Sequence, residues 1–218
     1  MNKVVVFDMD GLMFDTEPLY YKANQKTADA LSIPFDYSFY EKYIGASESD
    51  FFDAMFDQFP QSNVQQFIID SKKDVEKLLL SEPPKMKKGL VELLDYLKGK
   101  GYKTVVASSS TRKLVENLLD LTDIRDYFDA YIGGDEVAES KPHPEIFQKA
   151  VERAGNPQSD VLVLEDSLNG IRAAYAAGYK VIMVPDLVEP TEEAKAKTLE
   201  ICEDLEEILI KIKSENFF

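Results

Sequence analysis

The chain has one cysteine, Cys202, and one histidine, His143, in 218 residues. One thiol closes no intrachain disulfide, and with a single imidazole it cannot build a zinc centre. Positive charge is also scarce: 25 Lys and Arg against 40 Asp and Glu leave a formal net charge of −15. The general basic field that nucleic acid or an anionic membrane surface requires is therefore missing, and neither is expected as a partner. No apolar run approaches the roughly 20 residues of a membrane-spanning helix. The short apolar start lacks the length of a signal peptide, so a cytoplasmic protein is expected. There is no internal repeat and no low-complexity segment. A monomer is the simplest expectation.

What is present is an ordinary core-forming composition, 44% hydrophobic and 30% charged. The length suits one large domain or a domain with an insert. Val4-Val5-Val6-Phe7 predicts a short buried strand, and it stops abruptly at Asp8-Met9-Asp10-Gly11. Alternation along an extended chain sends Asp8 and Asp10 the same way. Two acids together at the end of a buried strand are costly unless a cation or a proton offsets their repulsion.

A turn then leads into a helix over about 17–31, with Thr16 as N-cap and Pro18 in the first turn. Leu19, Ala23, Thr27, Ala30 and Leu31 form its apolar stripe. Further helices are expected near 38–43, 49–59 and 64–80, with Gly45-Ala46-Ser47 separating the first two. Their many Phe and Tyr residues read as core. Pro83-Pro84-Lys85-Met86-Lys87-Lys88-Gly89 breaks the pattern as a stiff connector. Beyond it, strands at 102–107, within 127–132, and at 161–164, 180–184 and 199–202 alternate with helices at 90–99, 111–120, 144–154, 167–177, 191–196 and 205–212. Such alternation means an α/β fold with a mostly parallel sheet covered by helices on both faces. Residues 1–15 and 83–218 form that domain, and 16–82 form an all-α insert. The connectors at 12–17 and 82–88 are the expected hinges.

In an open α/β sheet, ligands sit outside the carboxyl ends of the strands. Ser108-Ser109-Ser110-Thr111 follows one strand, offering hydroxyls and free backbone N–H groups at a helix start, which suits an anion. Lys141, held between Ser140 and the Pro142-His143-Pro144 run, supplies a stiffly presented positive charge. Glu165-Asp166-Ser167 follows another strand. Carboxylate oxygens with room for water suit Mg²⁺ better than zinc or copper. Metal, phosphate clamp and free carboxylate are the parts of a phosphoryl-transfer site.

Asp8-Met9-Asp10-Gly11, Ser108, Lys141-Pro142 and Glu165-Asp166 resemble, in order and over essentially the whole chain, the four motifs of the haloacid dehalogenase superfamily. Phe-Asp-Met-Asp-Gly-Leu, Ser-Lys-Pro-His-Pro and Leu-Glu-Asp-Ser-x-Asn-Gly are similar to the branch of β-phosphoglucomutases and sugar-phosphate phosphatases. The resemblance implies a Rossmann-like core with a helical cap at 16–82 that closes to exclude water. It implies Asp8 as nucleophile and Asp10 as general acid and base. Mg²⁺ would be held by Asp8, the main-chain carbonyl of Asp10, Asp166 and, directly or through water, Glu165. Ser108, Ser109 and Lys141 would bind the phosphoryl group.

Hydrolysis of a small phosphomonoester such as a sugar phosphate is the expected reaction, with transfer within a sugar phosphate by a mutase as the alternative. The mutases of the branch carry a histidine where this chain has Tyr20 and an arginine where it has Glu48. They carry Lys-Asn where it has Thr111-Arg112. Arg112, or Lys72 and Lys73, could substitute as a second phosphate contact. A non-catalytic binding protein on the same scaffold would be expected to lack some of Asp8, Asp10, Lys141 and Asp166, and all four are present. His143 is expected to fill its loop and Cys202 to be buried and inert. Phe217-Phe218 either docks on a neighbouring element or frays.

Overall fold

The computed structural model describes residues 3–45, 48–155 and 160–214. Ala46, Ser47 and the Phe217-Phe218 terminus lie outside them. Two compact units are present, Met1–Asp15 with Lys85–Phe218, and Thr16–Pro84. In chain order, β1 (Lys3–Phe7) and β2 (Phe14–Asp15) precede α1 (Glu17–Ala30), α2 (Tyr37–Tyr40), α3 (Glu48–Gln58) and α4 (Gln61–Ser81). β3 (Lys85–Met86), α5 (Leu90–Gly99), β4 (Lys103–Ala107), α6 (Arg112–Leu121) and β5 (Ala130–Ile132) follow. The chain continues through α7 (Glu145–Arg153), β6 (Asp160–Glu165), α8 (Leu168–Ala176), β7 (Lys180–Met183), α9 (Glu192–Lys197), β8 (Glu200–Ile201) and α10 (Leu205–Ser214). No helix among the described residues is long and apolar enough to cross a membrane.

Six strands form one sheet in the order β5-β4-β1-β6-β7-β8, every neighbouring pair parallel. Parallel neighbours cannot be joined by a tight turn, so helices must carry the crossovers and cover the faces. β1 lies inside the sheet, and Val4 to Phe7 are completely buried. Burial on both faces explains why this strand is a continuous apolar run rather than an alternating one. On one face Val4, Val6, Val105 and Val163 pack with Phe147, Ile171 and Ala174.

The two connectors expected as hinges carry a short ribbon. β2 and β3 pair antiparallel, Phe14 with Met86 and Asp15 with Lys85. The Lys87 N–H also donates to the Met13 carbonyl, at 2.8 Å. Thr16 does occupy the cap position of α1, with Pro18 in the first turn, but its hydroxyl makes no capping hydrogen bond. Its backbone is already α-helical there, whereas a capping hydroxyl needs the extended conformation.

The Thr16–Pro84 unit is held by an aromatic centre. Phe35, Phe39, Tyr40, Phe51 and Phe67 pack with Met55 and Val64, the rings meeting mostly edge-on or tilted. The buried face of α1 runs through Ala23, Asn24, Thr27 and Ala28, while Ala30 of the expected stripe is exposed. Thr27 Oγ1 donates to Asp74 Oδ2 at 3.0 Å, fastening α1 to α4. Phe67 is completely buried, so Phe67→Ala should lower unfolding free energy by about 3–5 kcal/mol. A urea midpoint equal to that of the unmodified protein would remove this ring from the core.

Candidate active site

The register of β1 builds the site. Phe7 pairs with Val106 on one side and Leu164 on the other, so Asp8 comes next, beside Ala107 and Glu165. The Asp8 N–H donates to the Leu164 carbonyl at 3.0 Å, anchoring the backbone just past the strand. From β1 the chain builds outward through β4 and β5, then returns to the other side for β6, β7 and β8. Asp8 and Glu165 thus stand at the carboxyl ends of β1 and β6, where the direction of winding reverses.

Lys141, from the loop between β5 and α7, reaches this row. Its Nζ donates to Asp8 Oδ1 at 2.5 Å, Glu165 Oε1 at 2.7 Å and the Ala107 carbonyl at 3.3 Å. It also lies 4.8 Å from the centroid of the Phe147 ring. All three charged side chains are buried. The ammonium has three protons and three oxygen partners, so before any substrate arrives each donor is matched, and gripping an anion means turning one of them away from its present oxygen. Burial pushes the Asp8 carboxyl up to about 8 against the pull of Lys141, and the charges of Glu165 and Asp10 add to the rise. Burial also works against the lysine's charge, but Asp8 and Glu165 outweigh it and hold the ammonium above the ordinary lysine range.

Glu165 is fixed by more than Lys141. Its Oε2 accepts from the N–H groups of Asp166 and Ser167 and from the Ser167 hydroxyl, at 2.8–3.0 Å. Ser167 in turn caps α8, accepting from the Gly170 N–H at 3.1 Å. Both carboxylate oxygens of Glu165 are therefore engaged by donors. Asp166 approaches the first loop from the other side. A Cβ on Gly11, whose φ is +80°, would lie 2.3 Å from Asp166 Oδ2, so both the turn and the approach require glycine.

Asp8, Glu165 and Asp166 each place a carboxylate oxygen within 4.8 Å of the others. Burial, then the charges of Glu165 and Asp8, push the Asp166 carboxyl well above its usual range. A buried group with more carboxylate than ammonium takes up positive charge. Its donors are all hard oxygens, and Mg²⁺ fits that set.

The hydroxyl run after β4 divides its work. Ser108, completely buried, donates through Oγ to Asp10 Oδ2 at 3.3 Å and accepts from the Ser110 N–H at 3.0 Å. Ser110 Oγ donates to the same Asp10 oxygen at 3.0 Å. Thr111 is the N-cap of α6. Ser109 is exposed, and its backbone is packed against Gly134. The structure thus gathers Asp8, Asp10, Ser108, Lys141, Glu165 and Asp166 on one edge.

Of the remaining candidates, Arg112 lies on α6, donating to Glu116 and Glu136 at 3.1 Å, with its guanidinium over the Tyr131 ring. Tyr20 and Glu48 belong to the helical unit. Tyr20 is half-buried against the aromatic centre, and Glu48 is exposed and accepts from Lys72 at 3.0 Å. His143 is exposed, its Nδ1 accepting from the Glu145 N–H within the loop. Cys202 is buried, and burial pushes its thiol up to about 11. Residue patterns left out Ser110 as a contact of Asp10, Ser167 and Gly170 as supports of Glu165, and the Lys87–Asp186 ion pair. Asp186 carried a usable signal, since it stands just beyond the carboxyl end of β7.

The parallel sheet thus carries acids, a lysine and hydroxyls at its switch point, and a helical unit interrupts the chain after the first strand. Residues 5–184 match the family described as haloacid dehalogenase-like hydrolase, and the chain belongs to it. A phosphorylated carbohydrates phosphatase of Thermotoga maritima is 33% identical over 184 residues, covering 83% of each chain. Hexitol phosphatase B of Escherichia coli is 28% identical over 182 residues, covering 83% of this chain and 82% of its own. The crystal structure of CbbY from Rhodobacter sphaeroides in complex with phosphate superposes with a TM-score of 0.82. It is 25% identical and covers 95% of this chain and 96% of its own.

Gly170 is the sharpest steric constraint on the acids: a Cβ there would lie 1.6 Å from Glu165 Oε1. Gly170→Ala should therefore destabilise the protein by about 1–3 kcal/mol through forced repacking. Chemical denaturation reads this directly, and unchanged stability would mean that Glu165 is not confined as described.

Proposed function

We propose that the protein is a Mg²⁺-dependent phosphatase that hydrolyses a small phosphomonoester, most readily a sugar phosphate, through an aspartyl-phosphate intermediate. The observation that carries this reading is the Lys141 ammonium bonded to Asp8 at 2.5 Å and to Glu165 at 2.7 Å. A carboxylate cannot attack an anionic phosphate ester while its own charge repels it, and the lysine offsets that repulsion. The phosphatase and phosphate-complex relatives support the same class of substrate.

In this reading an Asp8 oxygen attacks phosphorus as the ester oxygen departs, and Asp10 gives that oxygen a proton. Asp10 then takes a proton from the water that attacks the acyl phosphate, releasing inorganic phosphate and restoring Asp8. Ser108 and Ser110, both bonded to Asp10 Oδ2, hold this acid in one orientation through both steps. Ser108, Ser109 and Lys141 bind the phosphoryl oxygens. Asp8, the Asp10 carbonyl and Asp166 would hold Mg²⁺; Glu165, whose two oxygens already accept from Lys141 and from the start of α8, would reach it through water while anchoring Lys141. When bound, Mg²⁺ supplies neutralising charge and orients the phosphoryl group. Residues 16–82 act as the cap that supplies substrate contacts.

Hydrolysis is preferred over the mutase reaction for a specific reason. A mutase must grip a second phosphate, and Tyr20 and Glu48 stand where the mutases of the branch carry a histidine and an arginine; of the cations that could substitute, Arg112 already faces Glu116 and Glu136, and Lys72 faces Glu48. Lys73 in turn pairs with Asp70.

With Mg²⁺ and a panel of phosphorylated sugars and nucleotides, the protein should release inorganic phosphate, and EDTA should abolish the release until Mg²⁺ is restored. Conversion of β-glucose 1-phosphate to glucose 6-phosphate with little phosphate release, dependent on a bisphosphate, would establish the mutase instead. Asp8→Asn should reduce turnover by about 1,000-fold or more while far-UV circular dichroism stays unchanged. Asp10→Asn should slow both formation and hydrolysis of the intermediate in single-turnover experiments. Full activity in Asp8→Asn would refute the nucleophile assignment.

A further inference from the structure

One ion pair of the sheet unit has no part in the chemistry proposed above. Lys87 Nζ lies 2.5 Å from Asp186 Oδ1. The aspartate side chain is only 11% exposed and the lysine 27%. Asp186 comes after β7, the strand next to β6, and therefore stands at the same sheet edge as Glu165. Lys87 comes from the far side of the sequence, directly after β3, where the Lys87 N–H is fixed to the Met13 carbonyl at 2.8 Å. The pair thus lies beside the 8–14 loop, meeting it near Gly11 and Met13.

Gly11 indicates what Asp186 faces. A Cβ built on this glycine would meet three atoms: Asp166 Oδ2 at 2.3 Å, Asp166 Cγ at 2.9 Å and Asp186 Oδ2 at 3.3 Å. The two aspartates therefore converge on one point of the loop, each through Oδ2. Asp166 belongs to the carboxylate group suited to a cation. Asp186 stands just outside that group, with Oδ1 taken by Lys87 and Oδ2 turned to the Gly11 side.

We propose that Asp186 is an outer carboxylate of the Mg²⁺ site, strengthening cation binding through its charge beside Asp166, and that Lys87 holds it in place while moderating that charge. This inference rests on the metal site proposed above. Outer partners of a metal site tune affinity without being ligands themselves, and their loss typically weakens binding about 10–100-fold. The two members of the pair differ in sign, which separates this role from a purely mechanical clamp. Removing the carboxylate's charge lowers the local negative potential. Removing the lysine's charge raises it. A clamp, in contrast, is broken equally by either change.

The test is Mg²⁺ binding to the substrate-free protein by isothermal titration calorimetry at low ionic strength, with circular dichroism to establish folding of each variant. Asp186→Asn keeps an acceptor for Lys87 and should weaken Mg²⁺ about 10-fold. Lys87→Met should tighten it about 2- to 5-fold. Shifts of the same sign in both variants, or an Asp186→Asn affinity within 2-fold of the unmodified protein, would overturn the proposal. Asp166→Asn serves as the control and should abolish measurable binding. Full binding in that variant would overturn the metal site itself, whereas loss in Asp166→Asn with no change in Asp186→Asn would overturn this inference alone.

Discussion

Everything at the sheet edge depends on one buried ammonium. Lys141 donates to Asp8, Glu165 and the Ala107 carbonyl, so it spans the ends of β4, β1 and β6. Two carboxylates in such a site would otherwise repel one another and draw protons. Removing one member of a buried ion pair leaves an uncompensated charge, which typically costs about 3–5 kcal/mol. The contact makes a buried aspartate tolerable at the end of a strand, and in the proposed reaction it would also let that aspartate approach an anion.

A second layer of contacts keeps this arrangement in register. Glu165 is held by backbone N–H groups at the start of α8, by Ser167 and by the close packing of Gly170. Asp10 is held by two serines that come after β4. Each acid therefore has its orientation set by a helix start beyond a different strand. The scaffold supplies rigid, pre-oriented groups, the condition for electrostatic assistance without reorganisation during the reaction.

Most of this edge was legible in the residue order for a topological reason. Parallel strands end on the same side of their sheet, so the residues just past each strand share an edge. Asp8, Ser108 and Glu165-Asp166 are found in this way without any contact information. Strand order was not legible, because hydrophobic runs do not say which strand lies beside which, and the β1–β6 adjacency makes the acid group. Nor did the pattern distinguish Glu165 from Asp166. Only the extension of β6 through Glu165 gives one acid to the lysine and turns the other toward Gly11. The β2–β3 ribbon was missed because two-residue strands have no period to detect. Asn24 inside α1 was missed because polarity alone does not reveal which way a side chain faces, and the non-capping Thr16 because residue type does not reveal a backbone that is already helical.

The ribbon has a consequence for how such a chain can change over time. Phe14 and Asp15, where the polypeptide leaves the sheet unit, stand opposite Met86 and Lys85, where it returns, in one antiparallel register. An insertion whose entry and exit are stitched side by side imposes almost no spacing requirement on whatever lies between them. Mutation can therefore lengthen, shorten or replace the intervening helices while the strands and their acids keep their positions, and if those helices touch the substrate as proposed, selectivity can diversify on a chemically constant base.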